Sequence, residues 1–370
     1  MTRMARMRRI CSLSLLLLAG CAWPQAGSSA LSEFRSAFIS VTNFSRFQIA
    51  PSNGHRVFTS PVLQAPMPWR ELVLSWNLDT PPGGVCTLEA RAWLAGSSTR
   101  FYQMGVWSPD APARHSVPGQ QDQNGEVDTD TLVLHRPARQ FQVRVRLEGK
   151  SDIVGPRLKF LGISLANTGI HHRVLAPNRA AWARSLPVPE RSQVAYRGGR
   201  VWCSPTSVSM VLGYWADVRQ RPDWDVGVPE VARAVYDPSW PGTGNWPFNT
   251  AFAGSLPGLR AYVARFSDVS ELEGWIAAGI PVALSVSYPT LKGRGGESGG
   301  GHLVVCVGFT EKGDVVINDP WAVPQKGEQV RKIFPRQNLI DAWRLSRQTV
   351  YLIYPEGFHI PSDRFGHWEH

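Results

Sequence analysis

Metal-binding and redox motifs are missing from this sequence of 370 residues. It contains neither a CxxC pair nor an HExxH segment, and its five cysteines are Cys11, Cys21, Cys86, Cys203 and Cys306. Zinc sites and thioredoxin-type redox sites need such closely spaced ligands. We therefore expect no metal ion and no other cofactor.

Basic runs and long apolar runs are also scarce. Lysine and arginine residues are scattered after the N-terminal segment, so the chain lacks the basic footprint of a nucleic-acid-binding protein, and we expect no nucleic acid partner. The apolar run 10–19 is too short to span a membrane permanently. With 43% hydrophobic and 18% charged residues, the composition is that of a globular protein.

The N-terminus has the layout of a secretory signal. Four arginines precede the apolar run, which ends in Leu18-Ala-Gly-Cys21. That ending resembles the lipobox of bacterial lipoproteins, in which the cysteine is lipidated and becomes the mature N-terminus. We expect a signal peptide at 1–20, lipidation of Cys21 and a tether at 21–30, and thus an exported lipoprotein held on a membrane, in the periplasm or on the cell surface. An ordinary cleaved signal peptide is the alternative.

Residues 31–169 are predicted to form an antiparallel β-sandwich of the jelly-roll kind. Short segments of alternating or β-branched residues are separated by turn clusters such as Pro81-Pro-Gly-Gly84, and no long helix is evident. Four tryptophans fall in this half: Trp69, Trp76, Trp93 and Trp107. Aromatic side chains could hold a glycan there, although tryptophans more often fill a core.

A linker is predicted at 170–191, where Leu186-Pro-Val-Pro189 cannot continue a helix. Residues 192–355 then read as helices followed by strands, which is typical of an α+β domain, and 356–370 as a C-terminal tail. The overall prediction is therefore α+β: a β-sandwich followed by a second, mixed domain.

Cys203 is predicted to lie at a helix N-terminus. The apolar residues after it recur at helical spacing, Ser204 suits the N-cap and Pro205 the first helical position. The positive end of a helix dipole lowers the pKa of a thiol placed there. Cys203 is therefore a candidate nucleophile. The alternative is a buried, unreactive cysteine.

His302 and Asp319 are predicted to meet in a β-hairpin. A glycine-rich loop delivers His302 to an apolar strand, 310–313 reads as a turn, and the returning strand ends at Asp319 before a proline. With a two-residue loop both side chains fall on one face of the sheet, whereas a three-residue loop would put them on opposite faces. Cysteine, histidine and acid in this order suit thiol catalysis.

These motifs resemble the bacteriocin-processing (double-glycine) peptidase-like family, a papain-fold group of cysteine peptidases. The resemblance covers about 190–355 and implies that Cys203 is the nucleophile, His302 the general base and Asp319 the orienting acid. It also implies an oxyanion-hole glutamine, for which Gln193 is the match, although ten residues before the cysteine. Serine at 204 stands where the family normally has glycine.

The resemblance implies a papain-like cysteine peptidase acting on a peptide or protein substrate. Two alternatives remain open at this stage: a cell-envelope binding lipoprotein that has lost turnover, or a papain-fold acyltransferase.

Overall fold

This computed structural model describes residues 35–52, 55–94, 96–149, 155–170, 173–295 and 301–369. The predicted signal peptide, the tether and the lipidated Cys21 lie outside these residues. Among the described helices, none is both long enough and apolar enough to cross a bilayer.

The N-terminal half is built of strands: β1 (Ser36–Val41), β2 (Gln48–Ser52), β3 (His55–Thr59), β4 (Leu63–Asp79), β5 (Val85–Leu94), β6 (Ser97–Ser98), β7 (Tyr102–Trp107), β8 (Gly125–Asp128), β9 (Thr131–Glu148) and β10 (Arg157–Ala166).

The C-terminal half is mixed: β11 (Arg184–Ser185), α1 (Cys203–Arg219), α2 (Val228–Val235), α3 (Trp246–Ser255), β12 (Leu259–Arg265), α4 (Val269–Ala277), β13 (Val282–Ser287), α5 (Tyr288–Leu291), β14 (Gly301–Phe309), β15 (Val315–Asn318), β16 (Arg331–Phe334), α6 (Arg336–Arg344), β17 (Thr349–Pro355) and β18 (Trp368–Glu369). Short 3₁₀ turns join these elements, at Ala111–Ala113, Arg179–Ala181, Gln193–Ala195, Gly199–Val201, Pro222–Trp224 and Pro324–Lys326. The α+β class predicted from the sequence is confirmed.

Two sheets organise the described residues. The first has 11 strands with the path β18-β1-β10-β4-β9-β3-β2, and β5 and β8 also pair with the long strand β9. It is antiparallel except where β18 runs parallel to β1, so the segment predicted as a tail returns to the N-terminal half. The second has seven strands with the path β12-β17-β13-β14-β15-β16. Its β11 comes from the predicted linker and pairs with β14.

β9 differs from the sequence prediction, which placed two strands at 131–134 and 141–147. The structure forms one strand of 18 residues through Pro137. Its register with β4 is irregular around Ala138, which pairs with Trp69. A proline is tolerated in a strand at such an irregularity, because no ladder hydrogen bond is required of its nitrogen there.

Three of the four N-terminal tryptophans fill the core. Trp69 and Trp76 are fully buried, and Trp107 contacts Trp76 and Phe248 of α3. Trp93 alone is half-buried, with the Arg91 guanidinium 4.6 Å from its ring centroid. The aromatic cluster therefore serves packing between the two halves of the chain.

α1 is the central helix of the second half. The sequence pattern predicts one apolar face, but every residue from Ser204 to Ala216 is buried. The helix contacts β13, β14 and β17 on one side and α2 and α3 on the other. A helix covered on all sides is rigidly placed, which fixes the position of the cysteine at its N-terminus.

Candidate active site

Cys203 is the first residue of α1, directly after the 3₁₀ turn Gly199–Val201. The predicted N-cap is wrong by two positions: Trp202 occupies the cap, and Ser204 lies in the first turn. The Ser204 hydroxyl is instead hydrogen-bonded to the Tyr351 hydroxyl at 2.9 Å. That bond accommodates a serine where the family normally has glycine. First-turn N–H groups of a helix lack intrahelical acceptors, so the backbone at Cys203 can stabilise negative charge.

The hairpin that carries His302 and Asp319 has a three-residue turn, 311–313, closed by a hydrogen bond from Thr310 N to Asp314 O. The assumed two-residue loop is therefore wrong, and a regular ladder from this turn would place the two side chains on opposite faces. A β-bulge between Cys306 and Gly308 shifts the register by one residue. Val305 pairs with Asn318 beyond it, so His302 and Asp319 return to one face.

The imidazole of His302 joins the thiol to the carboxylate. Its Nε2 lies 2.9 Å from Oδ1 of Asp319, which leaves Nδ1 free to face the thiol of Cys203. His302 is 5% exposed and Asp319 is fully buried. The structure thus brings the three predicted residues together: Cys203 and His302 line one cleft, and Asp319 is hydrogen-bonded to His302.

Electrostatics in this chain favour a charged pair. Burial acts to raise the pKa of Cys203, but hydrogen bonding and charge from His302 outweigh it, and the net pKa is lowered. Burial likewise acts to lower the pKa of His302, whereas hydrogen bonds to Asp319 and Cys203 raise it to about 9. Burial would raise the pKa of Asp319, yet the imidazole and its other donors hold it well below its usual range. The interaction between the two groups therefore favours the thiolate–imidazolium form more than two isolated groups would.

Asp319 has two further partners that the sequence analysis missed. The Tyr288 hydroxyl donates to Oδ2 at 2.6 Å, and the Lys332 ammonium donates to the same oxygen at 2.8 Å. The Tyr288 ring also packs against His302 with centroids 4.4 Å apart. Together with the backbone N–H of Trp321 on Oδ1, these donors fix the carboxylate in place.

Gln193 lies beside Cys203 in the same cleft and is 1% exposed. Its Nε2 donates to the carbonyl of Gly199 at 2.9 Å. This bond fixes the orientation of the amide, because a flipped amide would place its oxygen against the carbonyl oxygen of Gly199. Nε2 carries a second hydrogen, so it can still donate to a ligand. The separation of ten residues is absorbed by the two 3₁₀ turns that bring Gln193 back to Gly199.

Cys203 and His302 line a cleft of about 740 Å³. Its described lining is made of residues from four segments of the second half: Gln193, Arg200, Val201, Cys203, Trp240, Pro241, Gly242, Thr243, Gly244, Trp246, Ser285, Tyr288, Pro289, Lys292, Arg294, Gly301, His302, Leu303 and Trp321. The cleft is large enough for several residues of an extended peptide.

The N-terminal half holds one wall of this cleft, the segment 240–246, in place. Arg114, which is fully buried, donates to the carbonyls of Arg233 and Tyr236 just before the wall. Asp130, in the turn between β8 and β9, accepts the backbone N–H of Trp246 at 2.8 Å. Burial raises the pKa of Asp130 to about 6 despite the hydrogen bonds it accepts. The cleft is thus positioned by both halves of the chain.

The other described cysteines are unsuited to chemistry. Cys86 and Cys306 are free, fully buried thiols, and burial raises the pKa of each well above its ordinary value. Cys203 is the one described thiol that is partly exposed. Reactivity of thiols follows thiolate fraction and access, and both criteria select Cys203.

One group of potential metal ligands occurs among the described residues: Glu271, Asp363 and His367. It lies away from the cleft. His367 Nε2 is hydrogen-bonded to Glu271 at 2.7 Å, and Asp363 accepts backbone N–H groups of its own turn. These groups tie the C-terminal segment to α4, which is a structural role.

Two family descriptions match the chain. Residues 54–166 match "Peptidase C39 N-terminal domain", and residues 185–351 match "Peptidase_C39 like family". None of the curated proteins matches. Among solved structures, a candidate C39-like peptidase from Bacillus anthracis aligns with 18% identity and a TM-score of 0.34, over 46% of this chain and 96% of that chain. The family predicted from the motifs is confirmed: the chain belongs to the C39-like, papain-type peptidase family, with a C39 N-terminal domain ahead of the C39-like domain.

Proposed function

We propose that the chain is an exported, lipid-anchored cysteine peptidase that hydrolyses peptide bonds in a peptide or protein substrate. One observation carries the proposal: the thiol of Cys203 and the imidazole of His302 line the same cleft, and that imidazole is hydrogen-bonded to the buried carboxylate of Asp319. The family descriptions support the same chemistry. Peptidases of this type need a nucleophile, a base and an orienting group in that order.

Acylation begins with proton transfer from Cys203 to His302, which the two pKa shifts favour. The thiolate attacks the scissile carbonyl carbon, and the carbon–oxygen π electrons move to the oxygen. The backbone N–H of Cys203 and Nε2 of Gln193 are positioned to stabilise that oxyanion. The imidazolium then gives its proton to the leaving amine, the carbon–nitrogen bond breaks and a thioester remains.

Deacylation uses the same groups in reverse. Neutral His302 takes a proton from water, the hydroxide oxygen attacks the thioester carbonyl, and the thiolate leaves as the acid product forms. Asp319 stabilises the imidazolium in both half-reactions through the Nε2 hydrogen bond. Tyr288 and Lys332 are positioning residues, because both hold the carboxylate of Asp319 and Tyr288 also packs against the imidazole.

We further propose that the N-terminal half is an antiparallel sandwich-type module that holds the cleft wall. Arg114 and Asp130 support this role through their bonds to the segment 233–246. The anchor rests on Cys21 and the signal pattern before it.

Selective alkylation tests the nucleophile. Iodoacetamide at pH 7 should modify Cys203 much faster than Cys86 or Cys306, which serve as controls within the same chain, and peptide mapping reads the sites. His302→Ala should slow labelling of Cys203 and abolish turnover of peptides from a library screen. Labelling of Cys203 at the rate of the buried thiols would refute the assignment.

Membrane fractionation tests the anchor. The wild-type protein should sediment with membranes, and Cys21→Ser should move to the soluble exported fraction. A soluble, unlipidated wild type would contradict the proposal.

A further inference from the structure

Three cationic side chains line the cleft beside the reacting groups. Arg200 precedes Cys203 by three residues, and Lys292 and Arg294 lie on the segment leading to His302. All three are exposed, and within the described residues none is paired with a carboxylate. The Lys292 ammonium lies over the Tyr288 ring, 4.2 Å from its centroid, which holds it near the imidazole.

Negative charge is missing from the described lining of the cleft, which contains no Asp or Glu. The carboxylates bonded to the lining are buried: Asp319 is neutralised by His302 and Lys332, and Asp130 and Asp237 accept the backbone N–H groups of Trp246 and Trp240. A cleft lined with one sign of charge focuses its potential on the ligand. The three cations therefore attract negatively charged groups of a ligand that enters the cleft.

Tryptophan supplies the apolar part of the same lining. Trp240 is 46% exposed, and its ring lies against the backbone at Gly242 and Gly244. A Cβ at Gly242 would approach that ring to 3.0 Å, and one at Gly244 would approach it to 3.2 Å. The glycines allow the ring to lie flat on the wall, where it can contact an apolar or aromatic side chain.

We propose that this cleft selects acidic peptides, with Asp or Glu side chains flanking the scissile bond and an apolar side chain against Trp240. The inference rests on the proposed cysteine peptidase function and names the substrate class of its site. Arginine binds carboxylates in a bidentate, charge-assisted geometry, and unpaired arginines at the entrance offer that geometry without first breaking an internal ion pair.

Binding to an inactive variant tests the proposal apart from catalysis. The probes are three fluorescein-labelled dodecapeptides that are identical except for four positions, which hold Glu, Gln or Lys. Fluorescence anisotropy with the full chain carrying Cys203→Ala should give Kd values for the Glu peptide at least about tenfold lower than for the Gln peptide, with the Lys peptide weakest. The Glu preference should shrink as salt rises from 50 to 500 mM, about as expected for screened charges.

The triple variant Arg200→Gln, Lys292→Gln, Arg294→Gln, made on the Cys203→Ala background, should remove most of the Glu-over-Gln preference. Arg136→Gln, an exposed arginine of β9 outside the cleft, is the matched control and should leave it unchanged. Equal binding of the Glu and Gln peptides, or a preference that survives the triple variant, would overturn the proposal.

Turnover by the wild-type chain separates this inference from the proposed function. Unequal kcat/KM values that follow the binding order support both. Cleavage of the Glu and Gln peptides at equal kcat/KM leaves the peptidase standing and contradicts the acidic selectivity. If no peptide is cleaved and Cys203 does not label, the peptidase fails, and the anisotropy ratios still decide whether the cleft prefers acidic ligands.

Discussion

Asp319 accepts more hydrogen bonds than an orienting carboxylate needs, and this changes what an amide at 319 can do. Oδ1 accepts from His302 and from the Trp321 backbone, and Oδ2 accepts from Tyr288 and Lys332. An asparagine has one oxygen in place of these two, and we expect that oxygen to stay with His302 and the Trp321 backbone. Its NH₂ group must then face the Lys332 ammonium, which has no acceptor to offer.

The amide oxygen of an asparagine can still accept the imidazole N–H, which alone would predict a small loss of activity. Because its NH₂ group faces Lys332, we expect Asp319→Asn to lose more activity than that. The double variant Asp319→Asn, Lys332→Met should recover about tenfold in kcat/KM, a coupling of roughly 1.4 kcal/mol that is ordinary for contacting residues. A double-mutant cycle with Lys332→Met alone measures it. Additive losses would show that Lys332 does not act through Asp319.

The pH dependence of Cys203 alkylation follows from the two shifts in its pair. The pKa of Cys203 is lowered and that of His302 is raised to about 9, so the thiolate–imidazolium form begins at a lower pH than for an isolated thiol and is lost above about pH 9. Iodoacetamide labelling of the wild type should already be fast at pH 7, and turnover should fall above about pH 9, as His302 loses its proton. In His302→Ala, labelling should rise only near the pKa of an unassisted thiol, about 8.5 or higher. Identical rate profiles for the two proteins would contradict the coupling.

At this scale the sequence was sufficient to identify three candidate residues that the fold brings close to one another. Cys203, His302 and Asp319 were predicted from local motifs, and the structure brings them together. Tyr288 and Lys332 were missed, because their relation to Asp319 depends on how β13, β15 and β16 pair. A tyrosine just after an apolar strand is the only local signal for the first of them.

The β14–β15 hairpin shows why element boundaries escape local patterns. Its turn has three residues, and a bulge at Val307 compensates for the odd count. Neither feature has a sequence signature beyond Gly313, whose positive φ of 83° suits such a turn, and Gly308, where a Cβ would lie 2.0 Å from a carbonyl of β11. The predicted facing of His302 and Asp319 was right, although the loop length assumed for it was wrong.

Helices and strands with a clear hydrophobic periodicity were predicted well, whereas elements without that periodicity were missed. The sequence pattern predicts a helix at 228–236 and a strand at 281–287, which α2 and β13 match within one residue, and a helix at 272–278, which α4 begins three residues earlier. α3 was missed although Asn245 caps it and Pro247 lies in its first turn, because its apolar residues mark no single face and its burial against β4 comes from tertiary packing.

Asp130 links the β8–β9 turn to the start of α3, and its titration should be visible in stability. Burial raises its folded pKa to about 6 from an ordinary 3.8, so its protonated form stabilises the fold below pH 4, and that contribution is lost as pH rises to about 6. Asp130→Asn lacks this loss. The free energy of unfolding of wild type relative to Asp130→Asn should fall by on the order of 3 kcal/mol between pH 4 and 7.

Urea denaturation of both proteins at pH 4, 5, 6 and 7 measures that difference. A gap that is constant with pH would mean that Asp130 stays ionised in the fold.

Across the whole molecule, the first sheet completes the edge of the second. β12 is an edge strand, and the Asn77 side chain of β4 bonds both the N–H and the C=O of Ala261, at 3.2 and 2.7 Å. The Ser75 hydroxyl accepts the N–H of Val263 at 2.8 Å. These side chains take the place of a further strand, so β12 presents few free backbone groups.

Asn77→Ala should destabilise the protein by roughly 3 kcal/mol, because it leaves a buried N–H and a buried C=O of Ala261 unpaired. The wild type should unfold in one transition that includes both halves. Urea titrations followed by circular dichroism and tryptophan fluorescence test both points, with the exposed Asn43→Ala as control. Two separate transitions in the wild type would show that the interface does not couple the halves.

Synthesis from the N-terminus determines which strand edges can be covered first. The ribosome produces Asn77 184 residues before Ala261, so the cover for the edge of β12 exists before that strand emerges. The opposite holds for β1, whose outer partner β18 consists of Trp368 and Glu369. During synthesis that edge of β1 thus stays open until Trp368 and Glu369 have left the ribosome.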